Sequence, residues 1–179
     1  MKFLVILGVI AVTYSPRVLA DNRNMVKIVY AKPVIVNPEY FDEKTLRMDV
    51  IQGNETYNSL SLNFDILKDF PRDTEFVSQL YRSNARCRNY RKMNEYAITL
   101  CTNANDQYAQ YLPNAFVTMK QARKCVTKGK FQDNDVDWFK FYNILSEEEL
   151  KSSNCFRTIN SFISRGNYIF SEDFIFVTN

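Results

Sequence analysis

The sequence predicts a mainly β fold, a two-sheet antiparallel β-sandwich carrying one short to medium helix and a minor capped helical turn. Three observations lead there. Apolar residues recur at every second position in several short runs, the signature of a strand with one buried face. Turn-forming residues separate those runs at short intervals, as in sandwiches and barrels. No repeat, low-complexity tract or linker divides the 179 residues, so one domain accounts for the chain after its first 20 residues.

Those first 20 residues read as a secretory signal peptide. Met1-Lys2 is a basic start, Phe3 to Val12 is an apolar run of ten, and Val18-Leu19-Ala20 places small residues at −3 and −1 before Asp21. The run is too short for a membrane anchor, which takes about 20 apolar residues. The expected secreted, extracellular domain spans residues 21–179, which is 159 residues. Losing Lys2 and Arg17 takes the 23 basic residues to 21 against 20 acidic ones, a near-neutral balance that argues against nucleic acid as a partner. No later apolar run reaches spanning length, so no stable membrane anchor is expected.

Along the mature chain, Val26, Ile28 and Tyr30 alternate into a first strand, stopped or bulged at Pro33. Leu46, Met48 and Val50 alternate with Thr45, Arg47 and Asp49. Beyond Gln52-Gly53-Asn54-Glu55, Leu60, Leu62, Phe64 and Ile66 alternate with Ser59, Ser61, Asn63 and Asp65, so the two runs form a hairpin. Further strands are expected over 74–82, 94–101, 136–144 and 167–177. Asn114 is the N-cap of the expected helix, with Phe116, Met119, Ala122 and Arg123 at helical spacing up to Cys125. Ser146 and Glu149 form a capping box flanked by the Leu145/Leu150 staple, which also explains the acidic run Glu147-Glu148-Glu149 at the positive end of a short helix.

Composition narrows the chemistry. The chain has no histidine, which removes Ser–His, Cys–His and His–metal constellations. With Gly8, Gly53, Gly129 and Gly166 the only glycines, it has no phosphate-cradling loop. Its one dense acidic run has a structural explanation, so no enzyme activity, metal or cofactor is expected. Cys87, Cys101, Cys125 and Cys155 form an even set in an oxidising compartment and read as two disulfides, with three pairings open. Their spacings of 14, 24 and 30 contain no close pair of the kind zinc sites use. Asn54-Glu55-Thr56 is the one glycosylation sequon and lies in the expected hairpin turn.

One order of features carries a resemblance. It runs from the Gly53-Asn54 turn and the alternating strand up to Lys68, through Phe76-Val77-Ser78-Gln79-Leu80-Tyr81-Arg82, to a strand ending at Cys101. A helix ending at Cys125, a Lys128-Gly129 turn and Gly166-Asn167-Tyr168 leading an aromatic strand follow. Over residues 45–177 this series resembles a large insect family of small secreted proteins of unknown function, related to the ML lipid-recognition sandwiches and the Che-type proteins of gustatory hairs. Val126 departs from the proline that members carry after the matching cysteine, and Ser164-Arg165 stands where they have Leu-Pro.

The resemblance implies an ML- or immunoglobulin-like sandwich with a greasy interior that admits a lipid, sterol or pheromone-like molecule, in a chemosensory or reproductive setting. It pairs Cys101 with Cys125, which leaves Cys87 with Cys155. The residues expected to line the interior are Phe64, Phe76, Trp138, Phe139, Phe141, Phe170, Phe174 and Phe176, in a chain that is 15% aromatic. The same rings also suit a closed core, since stacked sheets interdigitate about 10 Å apart. The leading expectation is a non-catalytic carrier or sensor of a small hydrophobic ligand, with a cell-surface receptor as a further partner. The alternative is a secreted interaction module with a solid core and binding loops, most distinctively residues 83–93 with Arg86, Arg88, Tyr90, Arg91 and Lys92. A lipocalin-like barrel is disfavoured because the only tryptophan, Trp138, comes late.

Overall fold

The computed structural model describes residues 26–52, 58–84, 86–101, 126–133 and 154–178. Eight strands account for most of them: β1 (Val26–Val36), β2 (Arg47–Gln52), β3 (Asn58–Ile66), β4 (Glu75–Asn84), β5 (Arg91–Thr99), β6 (Gly129–Asp133), β7 (Asn154–Ser164) and β8 (Asn167–Thr178). They form a five-stranded sheet in the order β1-β8-β7-β4-β5 and a three-stranded sheet in the order β2-β3-β6, antiparallel throughout.

The alternation read from the sequence sets the register. Leu60, Leu62, Phe64 and Ile66 all face inward and are buried, while β2 and β3 pair from Arg47 opposite Asn63 to Gln52 opposite Asn58. β1 runs through Pro33 and bulges on either side of it, between Ile28 and Tyr30 and between Pro33 and Ile35. A proline is tolerated there because β1 is an edge strand and needs no second ladder. Inner residues of both sheets join one hydrophobic cluster with the turn residues Phe41 and Phe70 at its middle. The Phe41 ring lies 5.0 Å from Phe170, and 5.8 Å from both Phe64 and Phe70. The turn places it there through the Leu67 amide donating to the Tyr40 carbonyl and the Asn37 amide donating to the Ile169 carbonyl.

The expected fold class is corrected in one respect. Two antiparallel sheets are present, but among the described residues there is no helix, and the inner faces of the sheets cover each other instead. The spans that carried the helical expectation, 114–125 and 145–150, lie outside the described residues, as do the expected strand 136–144 and the Asn54 turn. Two strands escaped the sequence reading. Gly129 begins β6 rather than a turn, and β7 was not foreseen although it lies at the centre of the larger sheet. β7 mixes Arg157, Thr158, Asn160 and Ser161 with its apolar residues, which blurs the period of two. Its best signal was the Arg165-Gly166 turn: both residues have positive φ, 50° and 77°, the geometry of a two-residue hairpin that requires a strand on each side.

Candidate functional site

The cross-strand register arranges the inner face of the five-stranded sheet in rows. One row is aromatic and apolar: Val36, Phe170, Phe162, Phe76 and Ile98 are successive partners from β1 to β5. The next row is Pro33, Glu172, Asn160, Ser78 and Tyr96, and beyond it Ala31, Phe174, Thr158 and Leu80. A polar stripe therefore crosses the middle of an apolar wall.

The stripe's three central residues are joined by hydrogen bonds. Ser78 Oγ donates to Asn160 Oδ1 at 2.7 Å, and Asn160 Nδ2 donates to Glu172 Oε1 at 3.1 Å. All three residues are buried, with Glu172 only 2% exposed. Burial pushes the Glu172 carboxyl up to about 8, and the Asn160 amide offsets only part of that, so the protonated form is favoured at neutral pH. Asn160 and Ser78 fix one another, because the serine proton settles which end of the carboxamide faces the glutamate.

The outer face of the same strands carries charge. Arg157 Nε and Nη2 donate to Asp173 Oδ1 and Oδ2, each at 2.8 Å, a two-pronged pair. Hydrogen bonding to Asp173 holds the Arg157 guanidinium further toward its charged form, and its carbon lies 5.8 Å from the Tyr90 ring centre. Burial raises the Tyr90 phenol, whose oxygen sits 3.2 Å from Cys155 Sγ. Cys155 is bonded to Cys87, joining the start of β7 to the turn between β4 and β5, with α-carbons 5.2 Å apart. Cys101 is also disulfide-bonded, and Cys125 lies outside the described residues. β4 and β5 take up both ends of the expected basic loop: Asn84 closes β4, and Arg91 and Lys92 open β5.

Of the residues expected to line a greasy interior, Phe64, Phe76, Phe170 and Phe174 come together in the shared cluster. Phe176 is buried but stands outside that cluster, stacked on Phe156 at 5.3 Å with ring planes 15° apart. Trp138, Phe139 and Phe141 lie outside the described residues. Glu172, Asn160, Ser78 and Phe156 were missed, although their phase was legible: Glu172 falls in step with Phe170, Phe174 and Phe176, and Ser78 with Phe76 and Leu80.

A groove of about 560 Å³ opens elsewhere, at the β7–β8 turn, between Asn37, Tyr40, Pro71, Arg165, Asn167 and Tyr168. It is mostly polar and flanked by two ion pairs, Lys68–Glu39 at 2.8 Å and Arg165–Asp73 at 2.9 Å. Its lining is unlike the phenylalanine-rich wall between the sheets. No group of acidic or cysteine side chains among the described residues could hold a metal ion, and no helix among them is long and apolar enough to cross a membrane. A search of protein-family models and of curated proteins finds no match to this chain.

Proposed function

We propose that this protein is a secreted, non-catalytic carrier or sensor of a small hydrophobic ligand held against the inner face of the five-stranded sheet. One observation carries the reading: a neutral, hydrogen-bonded ladder of Glu172, Asn160 and Ser78 buried between rows of phenylalanine and leucine. A closed core gains nothing from a glutamic acid, because desolvating a polar group costs free energy that an apolar residue of the same size avoids. An apolar wall with a few convergent polar groups is instead the composition of small-molecule sites. Departures from local rules of this kind concentrate at functional positions. The signal-like residues 1–20 and the Cys87–Cys155 bond support an exported protein.

The test uses protein secreted from a eukaryotic host. Native mass spectrometry should show a species heavier than the polypeptide and its glycan, and denaturing extraction should release an apolar molecule. Delipidated protein should bind an environment-sensitive apolar dye that the extracted molecule displaces. Protein that stays free of ligand and binds no dye points to the second reading, an interaction module. That reading draws on the disulfide-tethered turn, where Cys87 and Asn89 adopt positive φ and Ser83 Oγ donates to the Arg88 carbonyl. N-terminal sequencing of the secreted product should begin at Asp21, with one glycan on Asn54.

A further inference from the structure

We propose that the Glu172–Asn160–Ser78 ladder is the polar anchor of the ligand site and selects an apolar molecule ending in a neutral hydroxyl over one ending in a carboxylate. The inference rests on the carrier reading and deepens it by naming the ligand's head group.

The ladder is directional. Ser78 donates to Asn160 and Asn160 donates to Glu172, so the chain of donors ends on the carboxyl. Oε1 receives the Asn160 amide, while no hydrogen bond among the described residues reaches Oε2. With the acid neutral, that terminus offers one O–H donor and an acceptor lone pair. An alcohol presents the complementary pair, one donor and one acceptor, and satisfies both without adding charge.

A carboxylate meets the opposite situation. Among the described residues its charge has no cation to face on this level of the sheet: the register partners of the ladder are Pro33 on β1 and Tyr96 on β5. The smaller sheet contributes the uncharged Met48, Val50, Leu60 and Leu62 to the shared core. Lys32 is registered on Asp173 and belongs with Arg157 to the other face. Arg82, an inner-row cation among the described residues, stands four residues along β4 from Ser78 and roughly 13 Å away at strand rise, where its Nε donates to Asn154 Oδ1. An ionised head group would therefore be desolvated without a partner and would face a glutamate whose own ionisation it opposes.

The experiment compares 1-hexadecanol with palmitate, two probes sharing a sixteen-carbon chain, as displacers of an apolar dye from the delipidated, secreted protein at pH 7. Hexadecanol is expected to bind at least ten-fold more tightly than palmitate. Glu172→Gln should keep that preference within about three-fold, since a carboxamide also donates and accepts. Glu172→Leu should remove it. Ser78→Ala, which frees the Asn160 amide, should weaken it while leaving dye binding in place. Equal or tighter palmitate binding by the wild-type protein overturns the inference while the carrier reading stands, and so does a hexadecanol preference that survives Glu172→Leu. Failure of the folded wild-type protein to bind either probe overturns both.

Discussion

Glu172 and Asp173 are neighbours in sequence, carry the same functional group and are both buried, yet they meet opposite environments. Strand geometry sends them to opposite faces of the larger sheet. Glu172 points into the core, where among the described residues it accepts a hydrogen bond from a neutral carboxamide, and burial favours keeping its proton on. Asp173 points outward to a guanidinium that grips both of its oxygens, in a patch tied down by the Cys87–Cys155 bond and roofed by Tyr90. Burial alone therefore does not decide what a carboxyl does. The partner on the adjacent strand decides, an amide on one face and a cation on the other.

The largest effect should come from cutting the tether of the outer face. The bond closes a 68-residue separation, and in the chain-entropy model its loss costs about 4 kcal/mol. Cys87→Ala with Cys155→Ala should lower the urea midpoint accordingly and loosen the Arg157–Asp173 patch. An unchanged midpoint would show that the strand ladders alone hold that face.

The inner face should respond to pH in its own direction. An unfolded glutamate titrates near 4.5 and Glu172 in the fold at about 8, so between those values the folded chain holds one proton more than the unfolded chain. Stability from this group is complete below pH 4.5 and is lost as pH rises through 8, with a slope approaching about 1.4 kcal/mol per pH unit. Urea titrations from pH 5 to 8.5 should show this decline in the wild-type protein and a flatter profile in Glu172→Gln. At pH 4 that variant should differ from wild type by less than about 1 kcal/mol, and above that pH it should become the more stable of the two. Parallel profiles would remove Glu172 as the source of the decline.

Arg157→Met tests the outer half of the comparison. It leaves the Asp173 carboxylate buried without its cation, and a loss of about 2 kcal/mol at pH 7 is expected, since breaking a pair costs more than the pair contributes. Adding Asp173→Asn should recover part of the loss, whereas Glu172→Gln should not. The smallest effect belongs to a neutral contact on the same outer face, Ser161 to Ser171 at 2.9 Å. Ser171→Ala should cost under about 1 kcal/mol by thermal denaturation, because only one neutral hydrogen bond is removed.

How much of this the sequence shows depends on the kind of signal. The β2–β3 hairpin was legible because its apolar residues alternate cleanly around a turn, and period two translates directly into one buried face. β8 was legible from its run of aromatic and β-branched residues after the Gly166 turn. β7 was not, because its polar positions answer to neighbours in the strands on either side rather than to solvent. Phe41, at the middle of the core, stands outside every strand and carries no periodic mark at all.

The chain by itself determined the β class, the absence of histidine chemistry and the phase that puts Glu172 in step with three phenylalanines. It also supplied four cysteines while leaving three pairings open. The tertiary structure joined Cys87 to Cys155, the pair that the family resemblance left over, and it alone set Ser78 beside Asn160, 82 residues away, and Asn160 beside Glu172. Periodicity is a property of consecutive residues and survives in the linear sequence. Hydrogen-bond partnership across strands depends on sheet order and register, and those exist only once distant segments have paired.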